Sequence, residues 1–499
     1  MNLCATRSDR NAFLCGSAAV LVILALVVTT ASARAQCAHE LAKLIASDAA
    51  TDDYFGHAAA VFGDTAVVGA YFDDDAGPSS GSAYVFVRSG GAWPNQAKLV
   101  ASDAAPGDEF GISVALFGDT AIVGARGDDN AAGNNAGSVY VFVRIGGVWT
   151  QQAKLTASDA AANEEFGVLV ALSGDTAVVG AHLDDNTGGT DAGAAYVFVR
   201  SGTVWTEQVK LTASDAAASD FLGGSVAISG HTAVVGAYQD DHAGGINAGS
   251  AYVFVRSGGV WTEQAKLIAS DAALGDEFGI SVAVFGDSAA VGARFGNHVG
   301  VSNTGSAYIF VRSSGVWTEQ AKLIAFDAAS GDEFGRRVAL SGDTVVVGAP
   351  YDDNAGGPDA GSAYVFVRSV GVWTQQAKLT ASDAAASDQF GFPVAASGDT
   401  VVVGAQGDDQ VVGVNAGSAY VFDISDYDAD GVSNISDLCP YTSGGCAVDA
   451  EGRPLFDLND DCIVNGLDMQ IIVDEILLGT GWDIAAVVED LLRTCSPCS

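Results

Sequence analysis

Hydrophobic and polar residues alternate along most of the chain in short segments separated by turns rich in Gly and Asp. The stretch 166–211 holds four such segments, at 166–172, 177–181, 194–200 and 204–211. Alternation of this kind is typical of strands with one buried face. The turns at 173–176 and 201–203 are short enough to close tight hairpins. The pattern predicts four consecutive antiparallel strands, named A, B, C and D in chain order, with A innermost.

The four-strand pattern occurs seven times. Each copy carries K-L-x-A-S-D-A-A, F-G, G-D-T-x-x-V-G-A and G-S-A-Y-V-F-V-R, with small departures. The opening lysines are 55 residues apart once and 56 residues apart five times: Lys43, Lys98, Lys154, Lys210, Lys266, Lys322 and Lys378. One such sheet cannot bury both of its faces, so regular copies must stack. The sequence predicts an all-β fold in which residues 36–423 form a seven-bladed β-propeller.

The chain starts in the middle of a blade, because residues 36–46 match a D strand and the last copy stops after its C strand at Phe422. The N-terminal strand is therefore expected to pair with 418–422 and complete the last blade. Closure of this kind removes the free sheet edges of a linear stack.

A tryptophan recurs five residues before six of the seven lysines: Trp93, Trp149, Trp205, Trp261, Trp317 and Trp373. Such a ring either stacks on sugars or seals neighbouring blades, and its presence in nearly every copy favours the structural role. The recurring Gly-Ala pairs, such as Gly180-Ala181, are interpreted as points where sheets approach closely.

The Phe-Gly and Gly-Ala pairs resemble FG-GAP repeats, which form the seven-bladed head of integrin α subunits. The Phe-Gly half of the motif stands at Phe55-Gly56, Phe110-Gly111, Phe166-Gly167, Phe278-Gly279, Phe334-Gly335 and Phe390-Gly391. The fourth copy departs, with Leu222-Gly223 in register and Phe221 one place early. The resemblance implies extracellular binding or adhesion. The A-to-B link is too short for the calcium loop found in integrin-like blades.

Acidic residues dominate the charge, with 61 acids against 22 bases and a net charge of −39. Nucleic acid and anionic membranes are therefore not expected as partners. The D-to-A and B-to-C loops share one face of the predicted propeller and hold 34 of the acids. Paired aspartates in the B-to-C loops have two interpretations, chelation of a hard cation or capping of turns: Asp73-Asp74, Asp128-Asp129, Asp184-Asp185, Asp240-Asp241, Asp352-Asp353 and Asp408-Asp409. The fifth copy has Asn297-His298 instead.

The N-terminus carries a short apolar run at 18–28 behind two arginines, and small residues precede Gln36. These features predict a signal peptide at residues 1–35 and a secreted, extracellular or cell-surface protein. The run is shorter than the roughly 20 residues of a membrane-spanning helix, so no span is expected in the mature chain. Six cysteines remain after cleavage, an even number that favours disulfide bonds over a zinc site.

The C-terminal segment 424–499 carries two acidic loops 31 residues apart. Oxygen donors fall at the spacing of an EF-hand calcium loop, in which alternate side chains and one carbonyl surround the ion. The donors expected to bind Ca²⁺ are Asp426, Asp428, Asp430, Val432, Asn434 and Asp437 in the first loop and Asp457, Asn459, Asp461, Ile463, Asn465 and Asp468 in the second. An apolar helix is predicted at 469–478, which makes this a small EF-hand-like α domain.

The second loop and its helix resemble a dockerin repeat, and the first loop is similar to a thrombospondin type 3 repeat. A dockerin implies docking to a cohesin, although no helix follows the first loop before Pro440.

Taken together, these features predict a secreted, non-enzymatic adhesion or interaction protein. Its propeller presents the acidic loop face to a protein or glycan ligand, and its calcium-stabilised tail docks the propeller or acts as a spacer. The six histidines occupy unrelated repeat positions, and none lies beside a Ser or Cys nucleophile. The alternative is a secreted polysaccharide-acting enzyme or carbohydrate-binding component, because abundant acids leave room for a glycosidase-like carboxylate pair and dockerin-like tails accompany such enzymes.

Overall fold

The computed structural model describes residues 39–297 and 301–425. Residues Glu40–Asp423 form one compact unit. The predicted signal peptide, all eight cysteines, His298 and both predicted calcium loops lie outside the described residues. Within the described ranges every regular element is a β-strand, and no helix there is long and apolar enough to cross a membrane.

The strands form seven four-stranded sheets, which confirms the predicted seven-bladed propeller. The A strands are β2 (Phe55–Phe62), β6 (Phe110–Phe117), β10 (Val170–Ser173), β14 (Leu222–Ser229), β18 (Phe278–Phe285), β22 (Arg337–Ser341) and β26 (Phe390–Ser397). The B strands are β3 (Thr65–Ala70), β7 (Thr120–Ala125), β11 (Thr176–Ala181), β15 (Thr232–Ala237), β19 (Ser288–Ala293), β23 (Thr344–Ala349) and β27 (Thr400–Ala405).

The outer half of each sheet consists of a C and a D strand. The C strands are β4 (Ser82–Val87), β8 (Ser138–Ile145), β12 (Ala194–Ser201), β16 (Ser250–Ser257), β20 (Ser306–Ser313), β24 (Ser362–Ser369) and β28 (Ser418–Asp423). The D strands are β5 (Asn95–Leu99), β9 (Val148–Leu155), β13 (Val204–Leu211), β17 (Val260–Leu267), β21 (Val316–Leu323), β25 (Val372–Leu379) and β1 (His39–Leu44).

The ring closes through the N-terminal strand, as predicted. The last sheet has the order β1-β28-β27-β26, so β1 takes the place of its D strand. Each A strand contacts the A strands of both neighbouring blades, and β26 of the last blade contacts β2 of the first. The A strands therefore surround a central axis.

The Phe-Gly and Gly-Ala motifs hold neighbouring blades together. Phe110 is fully buried, and its ring meets Tyr140 of its own blade edge-on with the centroids 5.5 Å apart. Its backbone N–H donates to Ser80 O of the preceding blade over 3.1 Å. A Cβ on Gly69 of that preceding blade would lie 2.0 Å from Gly111 O. Because no side chain fits there, these glycines permit the close packing that the sequence predicts.

The tryptophan ring has the structural role. The indole N–H of Trp261 donates to Gln208 Oε1 of the preceding blade over 2.9 Å, and four other tryptophans repeat this contact. The Arg256 guanidinium lies 5.4 Å from the centre of the Trp261 ring. The tryptophans therefore join the outer strands of adjacent blades.

Candidate functional site

Three repeat positions meet where the A strands begin and the B strands end: the residue before Phe-Gly, the residue after Phe-Gly and the residue after Gly-Ala. We call this set the axial mouth. Its members are Tyr54, Glu109, Glu165, Phe221, Glu277, Glu333 and Gln389 at the first position; His57, Ile112, Val168, Gly224, Ile280, Arg336 and Phe392 at the second; and Tyr71, Arg126, His182, Tyr238, Arg294, Pro350 and Gln406 at the third.

A strained backbone presents these side chains. The residue before Phe-Gly has a left-handed conformation in all seven blades, with φ of 55° at Glu109 and 57° at Phe221. A non-glycine residue seldom adopts this conformation. Here a turn stabilises it, since Ile112 N donates to Glu109 O over 3.1 Å. The turn bends the chain from the loop into the A strand. Persistent strain of this kind is often found at functional sites.

Arg–Glu pairs stand at the mouth in the second and fifth blades. Arg126 Nε donates to Glu109 Oε2 over 2.6 Å, and Arg294 lies 2.7 Å from Glu277. The Glu165 carboxylate lies at the longest distance of an ion pair from two groups, 3.9 Å from Arg126 and 4.0 Å from His182. Burial lowers the pKa of His182 to about 4, and the charge of Arg126 adds to this effect. His182 is therefore neutral near pH 7, and it provides no positive charge to stabilise the Glu165 carboxylate.

Aromatic contacts occupy the mouth in the first, fourth and seventh blades. The His57 ring packs between Tyr71 and Phe392, with centroid distances of 4.3 Å and 5.0 Å. Burial lowers the pKa of His57 to about 3, so its neutral ring donates through Nδ1 to Gln406 Oε1 over 2.7 Å. In the fourth blade, Phe221 stacks on Tyr238 with the rings 5.6 Å apart. In that copy Leu222 takes the place of the usual phenylalanine and lies in the core. Phe221, one residue earlier, adds a second aromatic ring beside Tyr238 at the mouth.

A cavity of about 440 Å³ lies among the A strands at this end of the propeller. Its walls combine aliphatic side chains such as Ile112, Leu169 and Val338 with the arginines of the axial mouth. A further arginine, Arg337, also lines it. The volume is within the range of small-molecule sites in proteins.

The acids of the loop face are largely engaged within the fold. In the first blade, Asp48, Asp73 and Asp75 converge on the ammonium group of Lys98, with Asp48 at 2.7 Å and Asp73 at 2.9 Å. The Tyr84 hydroxyl lies 2.7 Å from both Asp48 and Asp73. The same bridge of a lysine between two aspartates recurs at Lys43, Lys154, Lys210, Lys266 and Lys378.

The paired aspartates act as caps and ion-pair partners. The first member is buried against the lysine, and the second accepts a backbone N–H, as when Asn135 N donates to Asp129 Oδ1 over 2.8 Å. Of the two interpretations of the paired aspartates, cation chelation or turn capping, this arrangement shows the capped turn. The fifth blade has Gly296 and Asn297 at the positions of the aspartate pair, one residue earlier than the Asn297-His298 pair expected from the sequence. Among the described residues, Lys322 therefore pairs with Asp271 alone, at 2.7 Å. Asn297 there is exposed and caps Asn303 N over 3.0 Å.

A second group of buried acids stands two residues before Phe-Gly. Burial raises the pKa of Asp108 to about 6, although its carboxylate accepts a backbone hydrogen bond from Ala105. The same value holds for four equivalent residues, Asp53, Asp220, Asp332 and Asp388. Each of these carboxyl groups accepts a backbone hydrogen bond within the loop that enters its blade.

The FG-GAP repeat, as a family model, matches seven segments of the chain: residues 39–86, 93–142, 149–198, 205–254, 261–310, 317–366 and 373–422. The chain belongs to the FG-GAP repeat family. In this FG-GAP protein, each matched segment ends in a C strand, and the first begins in the strand that closes the ring.

The solved structure "Crystal Structure of Mitotic Checkpoint Complex" aligns with 78% of this FG-GAP protein and 96% of its own chain, at 12% identity and a TM-score of 0.46. No curated protein matches the chain.

Sequence reasoning predicted metal ligands in the tail, and all twelve of them lie outside the described residues. It did not identify the axial mouth of this FG-GAP protein. A signal was present, because the three mouth positions vary in charge and aromaticity while the flanking Phe-Gly, Gly-Ala and Gly-Asp-Thr residues are nearly constant.

Proposed function

We propose that this FG-GAP protein is a non-enzymatic binding platform that holds a protein partner on the axial mouth. The support comes from where the blades differ. Seven near-identical repeats share their core, their lysine bridges and their tryptophan contacts. At the mouth, by contrast, they present tyrosine, phenylalanine, arginine, glutamate and histidine at equivalent positions. Variation on an otherwise repeated scaffold creates one asymmetric surface, which is what a specific partner requires.

The composition of the mouth suits a protein interface. Tyrosine, phenylalanine and arginine are enriched among residues that anchor protein complexes. Tyr71 and Tyr238 are half-buried, so each ring is held by its neighbours while part of its surface remains exposed. The exposed aspartates of the surrounding loops, such as Asp74 and Asp129, favour a partner with a basic rim.

A binding screen tests this proposal with the full-length protein against an array of extracellular proteins and a glycan array. We expect a protein ligand whose affinity falls at least about tenfold in the double variant Tyr71→Ala plus Tyr238→Ala, because interface aromatic residues carry much of the binding energy. The matched control is Phe62→Ala plus Phe117→Ala, which removes two aromatic rings at the opposite ends of the A strands.

Equal losses in both variants would contradict the mouth as the binding surface. A reducing-sugar assay on the same preparations addresses the enzyme alternative. Release of sugar from a polysaccharide would overturn the non-enzymatic proposal, and hits confined to glycans would favour a carbohydrate-binding component.

We propose further that the chain is secreted and that residues 424–499 bind calcium and act as a docking module, with a cohesin-like protein as one candidate partner. The support is the spacing of oxygen donors in the two acidic loops. Extracellular calcium modules bind with Kd values of about 10⁻⁴ to 10⁻³ M. Isothermal titration of the full chain should show calcium uptake in this range. The uptake should disappear in the double variant Asp428→Ala plus Asn459→Ala, and unchanged uptake would refute the assignment.

A further inference from the structure

The sixth blade departs from the others where its A strand enters the axial cavity. Equivalent positions elsewhere carry uncharged residues, for example Ile280 and Ser281 in the fifth blade, and burial keeps His57 of the first blade neutral. The sixth blade has Arg336 and Arg337 instead. Both arginines line the cavity, so two guanidinium groups from consecutive residues occupy one side of it.

These two cations have too few partners. Arg336 pairs with Glu333 through Nη1, but its Nε is buried and has no hydrogen-bond partner among the described residues. Arg337 donates to the carbonyl of Arg336 over 3.0 Å and lies 4.9 Å from the centre of the Phe392 ring. Within the described ranges no carboxylate lies at ion-pair distance from it. A guanidinium has five donors, so most of those on Arg337 are available to solvent or to a ligand.

The surroundings make this arrangement costly without a ligand. Burial lowers the pKa of Arg337 to about 9, and the charges of Arg336 and Arg294 contribute. The side chain still carries its charge at neutral pH. Arg337 is partly buried, and a partly buried charge that lacks a counterion contributes less stability than one that has an ion-pair partner. An anion in the cavity would supply the missing acceptor atoms.

The cavity also restricts the kind of anion. Glu333 pairs with Arg336, and Glu277 pairs with Arg294, which also lines the cavity. These carboxylates would repel a ligand with two negative charges. Much of the remaining wall is aliphatic or aromatic, including Val338 and Phe392. We propose that the axial cavity binds a small monocarboxylate, whose carboxylate meets Arg336 and Arg337 while its apolar body packs on the cavity wall. The cavity shares Arg336 and Phe392 with the axial mouth, whereas Arg337 belongs to the cavity and not to that set.

Isothermal titration of the full-length protein with acetate, butyrate and benzoate tests the proposal. We expect binding that strengthens from acetate to benzoate as the apolar body grows, and at least tenfold weaker binding of the matched neutral amide, benzamide. Inorganic phosphate should bind more weakly than benzoate. The proposal fails if none of the three carboxylates binds at millimolar concentration, or if benzamide or phosphate binds as tightly as benzoate.

Two variants separate ligand binding from a structural role. Arg337→Met keeps an unbranched side chain without the charge, and it should weaken benzoate binding at least tenfold while raising the ligand-free melting temperature. The control Arg368→Gln lies in the same blade but pairs with Asp343 at the opposite end of the sheet, and it should leave benzoate binding unchanged. A lower melting temperature in Arg337→Met, or unchanged benzoate binding, would overturn the proposal.

Discussion

Trp93 differs from the other tryptophans of the ring at a single atom. Its indole N–H is buried and has no partner among the described residues, whereas the equivalent atom of each of the other five tryptophans donates to a glutamine. The reason is the residue that faces it in the closing strand. Leu41 stands two residues before Lys43, where Gln208 stands two residues before Lys210. A buried donor without an acceptor costs free energy.

The variant Leu41→Gln should therefore stabilise the propeller by about 1 kcal/mol, since it restores the missing acceptor. The reverse change, Gln208→Leu, should destabilise it by about 1 to 3 kcal/mol because it leaves Trp261 without a partner. Urea denaturation of the wild type and both variants gives the two free energies of unfolding. A stabilising effect of Gln208→Leu would show that these hydrogen bonds do not join the blades.

The accuracy of the predicted strand ends differs between the strands of a single blade. The B, C and D strands of the third blade begin and end within one residue of the prediction, because sharp Gly turns bound them. The A strand was predicted from 166 and is assigned only from Val170. Its first part enters through a turn, in which Val168 N donates to Glu165 O over 3.1 Å. Hydrophobic alternation cannot reveal this turn, because it depends on packing at the axis.

The contact between strands of adjacent blades leads to a test at Gly69. In Gly69→Ala, the new Cβ would overlap with the backbone oxygen of Gly111, and neither strand can move without disturbing its sheet. We expect a loss of at least roughly 3 kcal/mol in the free energy of unfolding. The control Gly118→Ala meets open space and should cost about 1 kcal/mol through its left-handed backbone alone. Equal costs at the two sites would argue against close packing as the role of the Gly-Ala motif.

The molecule as a whole uses its negative charge differently from the sequence-based prediction. The count of loop acids placed a strongly acidic face towards a partner. In the structure, many of these acids bind lysines and tyrosines, cap turns or lie buried behind Phe-Gly. The sequence indicated on which face the acids lie, because strand order determines that. It could not indicate which acids are free, since Lys98 and Asp48 are 50 residues apart and meet only in the folded blade.

Stability should consequently rise as the pH falls from 7.5 to 5. Five buried aspartates have pKa values of about 6, above their ordinary value of 3.8, so the folded state binds protons more tightly than the unfolded chain. Their contribution is fully present below pH 3.8 and is lost as the pH rises through 6. His57 and His182 oppose this trend below pH 6.5, because burial lowers their pKa values to about 3 and about 4. The five aspartates outnumber them, so we expect the melting temperature to be higher at pH 5 than at pH 7.5.

The stabilising trend should reverse at lower pH. Burial opposes ionisation of Asp103, but hydrogen bonds from Lys154 and Tyr140 hold its pKa below 3.8. Its contribution is therefore lost as the pH falls below that value, and five equivalent aspartates behave alike. Calorimetry from pH 3 to 8 measures the profile. Replacement of the five aspartates with raised pKa by asparagine should flatten the slope between pH 5 and 7.5, and an unchanged slope would assign the pH dependence to other groups.

The closing blade also determines how the propeller would respond to tension. β1 begins and β28 ends where the other blades have their C-to-D turns, so both ends of the ring leave side by side, away from the axial mouth. A force that pulls these ends apart acts on the hydrogen bonds between the two strands one after another. The other six blades would bear no load until that pair has opened. Under tension the ring is therefore expected to open at a single seam, while the lysine and tryptophan contacts of the remaining blades stay intact.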